Sequence, residues 1–255
     1  MLPMCLMDAG RTGARLIRPS VEWANANITK RNPRFRFFHF DVRDELHNPN
    51  GTLRPTEIRL PCDDQSADLI IAQSVFTHML IEDVEYYLSE IARVLRPSGA
   101  ALVTCFLVNR RILRSARATN RTPFDLRFEH RIGDSFINDP ARPLGAVELT
   151  KRRLQRAIRS ASPMLGVSVS PSVWSGHFPN ALDGQDVLVL SRAADGSPHS
   201  PWIRLGAPLR SRTESPSLAE RDQRNPESAP GPPDSGKRNR RTRMRTLRRS
   251  SPYSR

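Results

Sequence analysis

The sequence predicts an α/β protein built on a doubly wound, mostly parallel sheet that ends in an antiparallel hairpin. Two observations carry that expectation. The run Ala67-Asp68-Leu69-Ile70-Ile71-Ala72 is short, largely apolar and bounded by polar residues, as a strand covered on both faces should be. Ile81, Val84, Leu88, Ile91 and Leu95 then recur at helical spacing, and a second apolar run follows from Ala100 to Leu107. Strand, helix and strand within some forty residues make a crossover unit of a parallel sheet.

In chain order, residues 1–15 show no clear period and are expected to be irregular. Pro19 sits near a helix start, with Val21, Ala24 and Ile28 on one face. The aromatic-rich stretch from Arg34 predicts a strand ending at Asp41. Asn48-Pro49-Asn50-Gly51 is a turn. Pro97 and Gly99 close the central helix, glycine permitting a left-handed residue there. Residues 108–147 read as a long irregular connection, of the kind that is often a lid. A helix is expected from Glu148 to Ser160, then two strands, Gly166 to Trp174 and Gln185 to Ser191. With no helix between them, these two should be antiparallel neighbours. From residue 193 the chain is rich in Arg, Pro and Ser and short of large apolar residues, the composition of a disordered tail.

Composition narrows the function classes. Of the formal net charge of +14, nine charges fall in residues 196–255, so basicity belongs mainly to the tail and the folded part offers little reason to bind nucleic acid. Nearly all the basic residues are arginine, which suggests a compositional bias more than a phosphate-binding face. No apolar run reaches the length of a membrane span. Cys5, Cys62 and Cys105 are widely spaced, which argues against a disulfide framework or a metal site and suits a reducing, cytoplasmic setting.

The open edge of such a sheet binds ligands beyond the carboxyl ends of its strands. There the chain carries Gln73-Ser74-Val75-Phe76-Thr77-His78. His78 is a candidate base, since an unperturbed imidazole titrates near neutrality. Several segments in this order resemble the class I S-adenosylmethionine-dependent methyltransferases. They are Phe37-Phe38-His39-Phe40-Asp41-Val42, Ser74-Val75-Phe76-Thr77-His78-Met79, Arg93-Val94-Leu95-Arg96-Pro97-Ser98-Gly99 and Gln185-Asp186-Val187-Leu188-Val189. The resemblance covers roughly residues 16–192. It implies S-adenosylmethionine as cofactor, with Asp41 on the adenine amino group and Val42 on its ring. It places Gln73, Ser74, Val75 and Phe76 beside the methionine part and the reacting methyl.

It also implies a Gly-rich loop after a leading strand, and an acid eight residues before the tryptophan to hold the ribose hydroxyls. The first is absent from this sequence, and counting back from Trp23 lands on Arg15. The expectation is therefore an N-terminally incomplete member, its first strand missing, that joins the family from about Leu16. The activity expected is methyl transfer to a small-molecule or glycan acceptor, impaired by that loss. The alternatives are a non-catalytic remnant that serves as a partner surface, or a nucleic-acid binder acting through its tail.

Overall fold

The computed structural model of the chain describes residues 3–7, residues 10–193 apart from 46, 120, 123 and 182, and residues 204–205. Strands β1 (Pro3–Met7) and β2 (Gly10–Arg15) lead into helix α1 (Arg18–Ala24) and strand β3 (Phe35–His39). The crossover unit follows as β4 (Ala67–Ala72), α2 (Ile81–Val94) and β5 (Leu95–Val108). Next come α3 (Arg110–Thr119), the short strands β6 (His130–Ile132) and β7 (Ser135–Ile137), β8 (Val147–Thr150) and α4 (Lys151–Ala161). Strands β9 (Leu165–Ser170), β10 (Asp186–Arg192) and β11 (Arg204–Leu205) complete the order.

The sheet runs β11-β9-β10-β5-β4-β1-β2-β3, with β8 joined to β5 and β6–β7 beyond it. β4 and β5 are parallel, as are β2 and β3. β10 is antiparallel to both β5 and β9, the expected terminal hairpin. Side chains alternate across the pleat, so Ile70, Ala101 and Leu190, paired across three strands, share one face. All three are fully buried and join one core with Val84, Leu88 and Ile91 of α2 and Leu154 and Ile158 of α4. Removing each large aliphatic side chain from water contributes about 1.5–3 kcal/mol, which explains why this layer fixes the register.

Several expectations need correction. Residues 1–15 were expected to be irregular, yet residues 3–7 and 10–15 form a hairpin. β1 occupies the slot between β2 and β4 and is antiparallel to both. The sheet therefore has no gap there. Among the described residues no strand fills that slot in the parallel sense. The physical reason is that β2 and β4 would otherwise present unpaired N–H and C=O groups to each other across an open slot, and any chain able to pair satisfies them.

The connection 108–147 is not irregular throughout: it contains α3 and the strands β6 and β7. Asn109 begins α3, its Oδ1 accepting from the amides of Arg111 (2.8 Å) and Ile112 (3.0 Å). The helix expected from Glu148 starts instead at Lys151, because residues 147–150 pair with β5 and Thr150 caps α4 through Arg153 N (3.3 Å). At the end of α2 the left-handed residue is Ser98, at φ +65°. Gly99 is required for a different reason, since a side chain there would press within 2.9 Å of the carbonyl oxygens of Ala67 and Arg96. Arg204 and Leu205, within the expected tail, pair parallel to β9, whose outer edge is otherwise open. The rest of the tail from residue 194 lies outside the described residues.

One buried carboxylate ties the second half together. Asp186 accepts from Leu107 N (2.8 Å), Ser172 N (2.8 Å), Ser172 Oγ (3.0 Å) and Trp174 Nε1 (2.9 Å). Burial pushes its carboxyl upward while these four bonds pull it back. They also fix Trp174, which packs edge-on to Phe106 and Phe128 at 5.3 and 5.7 Å between ring centroids. Trp174, 2% exposed, is thus core.

Candidate functional site at the carboxyl edge

Three cavities lie along the carboxyl edge of the sheet, and the loops after β3 and β4 build their walls. The first has a volume of about 80 Å³ and is bounded by Arg15, Leu16, Phe40, Val42, Val75 and Met79, with Ser74 and His78 at its rim. The second, about 660 Å³, includes Thr77, His78, Phe106 and Phe124. The third, about 450 Å³, includes Gln73, Ser74, Thr104 and Trp174. Ser74 belongs to the first and third, His78 to the first and second, and Gln185 to the second and third.

The loop after β3 uses its polar groups on itself. Asp41, just beyond the strand, accepts from Thr52 Oγ1 (2.8 Å) and Asn48 Nδ2 (3.2 Å). Those two bonds, Thr52 first, hold its carboxyl below the usual range. Gly51 closes the turn so tightly that a Cβ there would stand 2.3 Å from the Val42 carbonyl oxygen. Asp41 is not among the residues bounding the first cavity, although Phe40 and Val42 on either side of it are.

The loop after β4 is arranged differently. Ser74 takes a left-handed conformation, φ +51°, which is uncommon for a residue with a side chain. Its amide donates to Thr104 Oγ1 (2.6 Å) and its Oγ to Gln185 Oε1 (2.8 Å). Thr104 Oγ1 passes its own proton to Gln185 Oε1 (2.6 Å). Phe76 turns inward and is fully buried in the main core, away from all three cavities. Thr77 is fully buried too, and its Oγ1 has no hydrogen-bond partner among the described residues.

His78 Nδ1 lies 2.8 Å from the carbonyl oxygen of Leu144. A carbonyl can only accept, so Nδ1 carries the proton and Nε2 keeps its lone pair. Burial lowers the imidazole below its ordinary value, with the Leu144 bond opposing, so the neutral form dominates at neutral pH. The His47 ring stands edge-on to it at 6.1 Å, itself held by Asp44 at 2.8 Å.

The connection after α3 walls the second cavity. Asn138 Oδ1 accepts from the amides of Arg127 (2.6 Å) and Phe128 (3.3 Å), holding Phe128 at φ +50°. A left-handed aromatic residue costs on the order of 1–3 kcal/mol. Its packing against Phe106 (5.6 Å) and Trp174 offsets that cost.

Of the residues expected from the sequence, Val42, Ser74, Val75 and His78 meet at the first cavity, Gln73 lies at the third, and Asp41 and Phe76 face elsewhere. Thr104, Gln185 and Thr77 were not singled out. A polar residue in the apolar run 100–107 was the one available sign for Thr104. Among the described residues no group of His, Cys, Asp and Glu could hold a metal ion. No described helix is long and apolar enough to cross a membrane.

A family model described as a methyltransferase domain matches residues 12–103. Over these residues the chain is similar to a methyltransferase domain. The match opens in β2, covers β3, β4 and α2, and ends within β5, so it includes both loops at the first cavity.

Solved structures agree with the chain only loosely. A Burkholderia thailandensis 1,6-didemethyltoxoflavin-N1-methyltransferase, with 1,6-didemethyltoxoflavin and S-adenosylhomocysteine bound, is 20% identical over 71% of this chain and 60% of its own, at a TM-score of 0.42. Human N-acetylserotonin methyltransferase, in complex with SAM, is 15% identical over 69% and 39%, at 0.41. The PH0226 protein of Pyrococcus horikoshii is 13% identical over 71% and 70%, at 0.43. The chain thus spans 60% of the first of these and 39% of the second. Likenesses at this level carry no argument about activity.

Proposed function

We propose that the chain transfers a methyl group from S-adenosylmethionine to a small-molecule acceptor. The observation that carries the reading is the neutral His78, its Nε2 lone pair free at the junction of the first and second cavities. The residues that would hold the cofactor fit its ring end: Leu16, Phe40, Val42, Val75 and Met79 form an apolar slot for one planar base. At about 80 Å³ that slot is far below the roughly 300 Å³ at which sites for whole drug-sized ligands begin, so the remainder would extend past Ser74. S-adenosylmethionine supplies a methyl group already activated on a sulfonium. The protein's task is then alignment, and removal of one proton from an acceptor hydroxyl or amine by His78 Nε2.

Two expected cofactor contacts take other roles in this reading. Asp41 orders the loop that carries Val42, and Phe76 anchors the turn that carries His78. A cytoplasmic setting belongs to the same reading and is supported by the sparse, widely spaced Cys5, Cys62 and Cys105.

A second reading, a non-catalytic remnant, is favoured by one feature. Arg15, not an acid, ends β2 at the rim of the first cavity. Titration calorimetry of the full chain with S-adenosylmethionine decides between them. Saturable heat is expected; none at millimolar cofactor would leave only the remnant.

A further inference from the structure

The geometry points to an uncharged, hydroxyl-bearing ring, of the sugar type, as the acceptor held in the second cavity. This rests on the proposed methyl transfer for its purpose, but the binding itself does not need the cofactor. At about 660 Å³ the cavity falls in the range of small-ligand sites.

Its two arginines are already compensated by the three carboxylates of the same wall. Arg127 Nε reaches both oxygens of Asp125 at 3.2 and 3.0 Å, Arg127 lies 3.9 Å from Glu129, and Arg142 Nε meets Asp139 at 3.4 Å. Each arginine on the wall thus has a carboxylate beside it, and a phosphate or carboxylate entering the cavity meets no uncompensated positive field.

What the wall leaves available is suited to neutral oxygen atoms. Gln185 lines the second and third cavities, and its Oε1 already accepts from Ser74 and Thr104, so what its amide has left to offer a ligand is the two protons of its nitrogen. Phe124, 74% exposed at the mouth, offers an apolar face to a ring opposite the buried Phe106. One hydroxyl of such a ring then lies in the cavity that His78 shares, where Nε2 can take its proton.

The test uses the full chain without cofactor and saturation-transfer NMR. A panel of p-nitrophenyl hexosides is compared with the same compounds carrying a 6-phosphate. Saturation transfer is expected for one or more of the uncharged glycosides, with phosphorylation weakening binding about tenfold. Gln185→Leu and Phe124→Ala should each weaken it threefold to tenfold; Phe124, being exposed, keeps the test valid if the Gln185 substitution fails to fold. Binding of no uncharged glycoside, equal or tighter binding of the phosphorylated compounds, or binding untouched by Phe124→Ala would overturn the inference. Calorimetry with S-adenosylmethionine on the same sample separates the two claims. Glycoside binding without cofactor binding would sink the methyl-transfer reading alone, and the reverse would sink the acceptor assignment alone.

Discussion

The two loops at the carboxyl edge follow neighbouring parts of the same sheet, yet they use their polar atoms in opposite ways. After β3, Asp41 gives both carboxylate oxygens to Asn48 and Thr52, and the loop closes on itself. After β4, Thr104 holds the Ser74 amide and Gln185 its hydroxyl from outside the loop, while His78 Nε2 and Thr77 Oγ1 have no partners among the described residues. The difference separates a residue that shapes a site from one that acts in it. A polar atom already saturated by its own loop has little left for a ligand, whereas an unpaired one carries a cost that a ligand can relieve.

Substitution of His78 should sharpen the contrast most. His78→Gln is expected to lower the methyl-transfer rate about 10²- to 10⁴-fold with cofactor affinity retained, the range usual for a lost general base. The acid limb of the wild-type pH–rate profile should fall below the ordinary imidazole value of 6.5, because burial favours the neutral ring. A limb above that value would argue against His78 as the base.

Glu148 comes next. It lies on β8, which packs against the turn Phe76–His78, and its Oε2 is buried without a partner. Burial pushes its carboxyl up to about 7 from 4.5, with Arg153 opposing. Between those values the folded chain holds a proton that the unfolded chain has released, so stability falls as pH rises from about 4.5 through 7. Glu148→Gln should remove that dependence and raise stability at pH 8 by on the order of 1–3 kcal/mol in urea unfolding. If the variant and wild type keep parallel pH profiles, the buried oxygen is not the cause.

Asp41→Ala should have the smallest effect. Losing two side-chain bonds on a solvent-facing loop is expected to lower the urea midpoint only slightly, with no more than a few-fold loss in cofactor affinity through the displaced Val42. Abolished cofactor binding at unchanged stability would put Asp41 back in the site and break the contrast.

What could be read from the sequence follows the same physical division. The unit from β4 to β5 was legible because its apolar residues repeat with a period that only a buried strand and a half-buried helix impose. The antiparallel hairpin β9–β10 was legible from two apolar runs with no helix between them. β2 was not, because Gly10-Arg11-Thr12-Gly13-Ala14-Arg15 has no apolar alternation; it is a strand only through pairing with β1 and β3. α3 escaped notice because its buried residues are just Ile112 and Ala116, too few to reveal a period among its arginines.

At the site, Val42, Ser74, Val75 and His78 could be placed by their order after strands. Thr104 and Gln185 could not, since nothing local brings together two residues eighty-one positions apart. Asp41 was placed by analogy, and an analogy carries no information about which partners its oxygens have already found.

The reversed direction of β1 has an electrostatic outcome. A parallel strand in that slot would run to the carboxyl edge and turn into a helix, aiming free amides and a positive dipole end at the cleft. β1 instead begins near that edge, Pro3 standing opposite Ala72. An anionic group entering the first cavity therefore meets the side chains of Arg15 and Arg43 in place of a rigid nest of peptide N–H groups. Flexible cations on an open rim are screened by ions in a way that buried amides are not, so affinity here should decline as ionic strength rises.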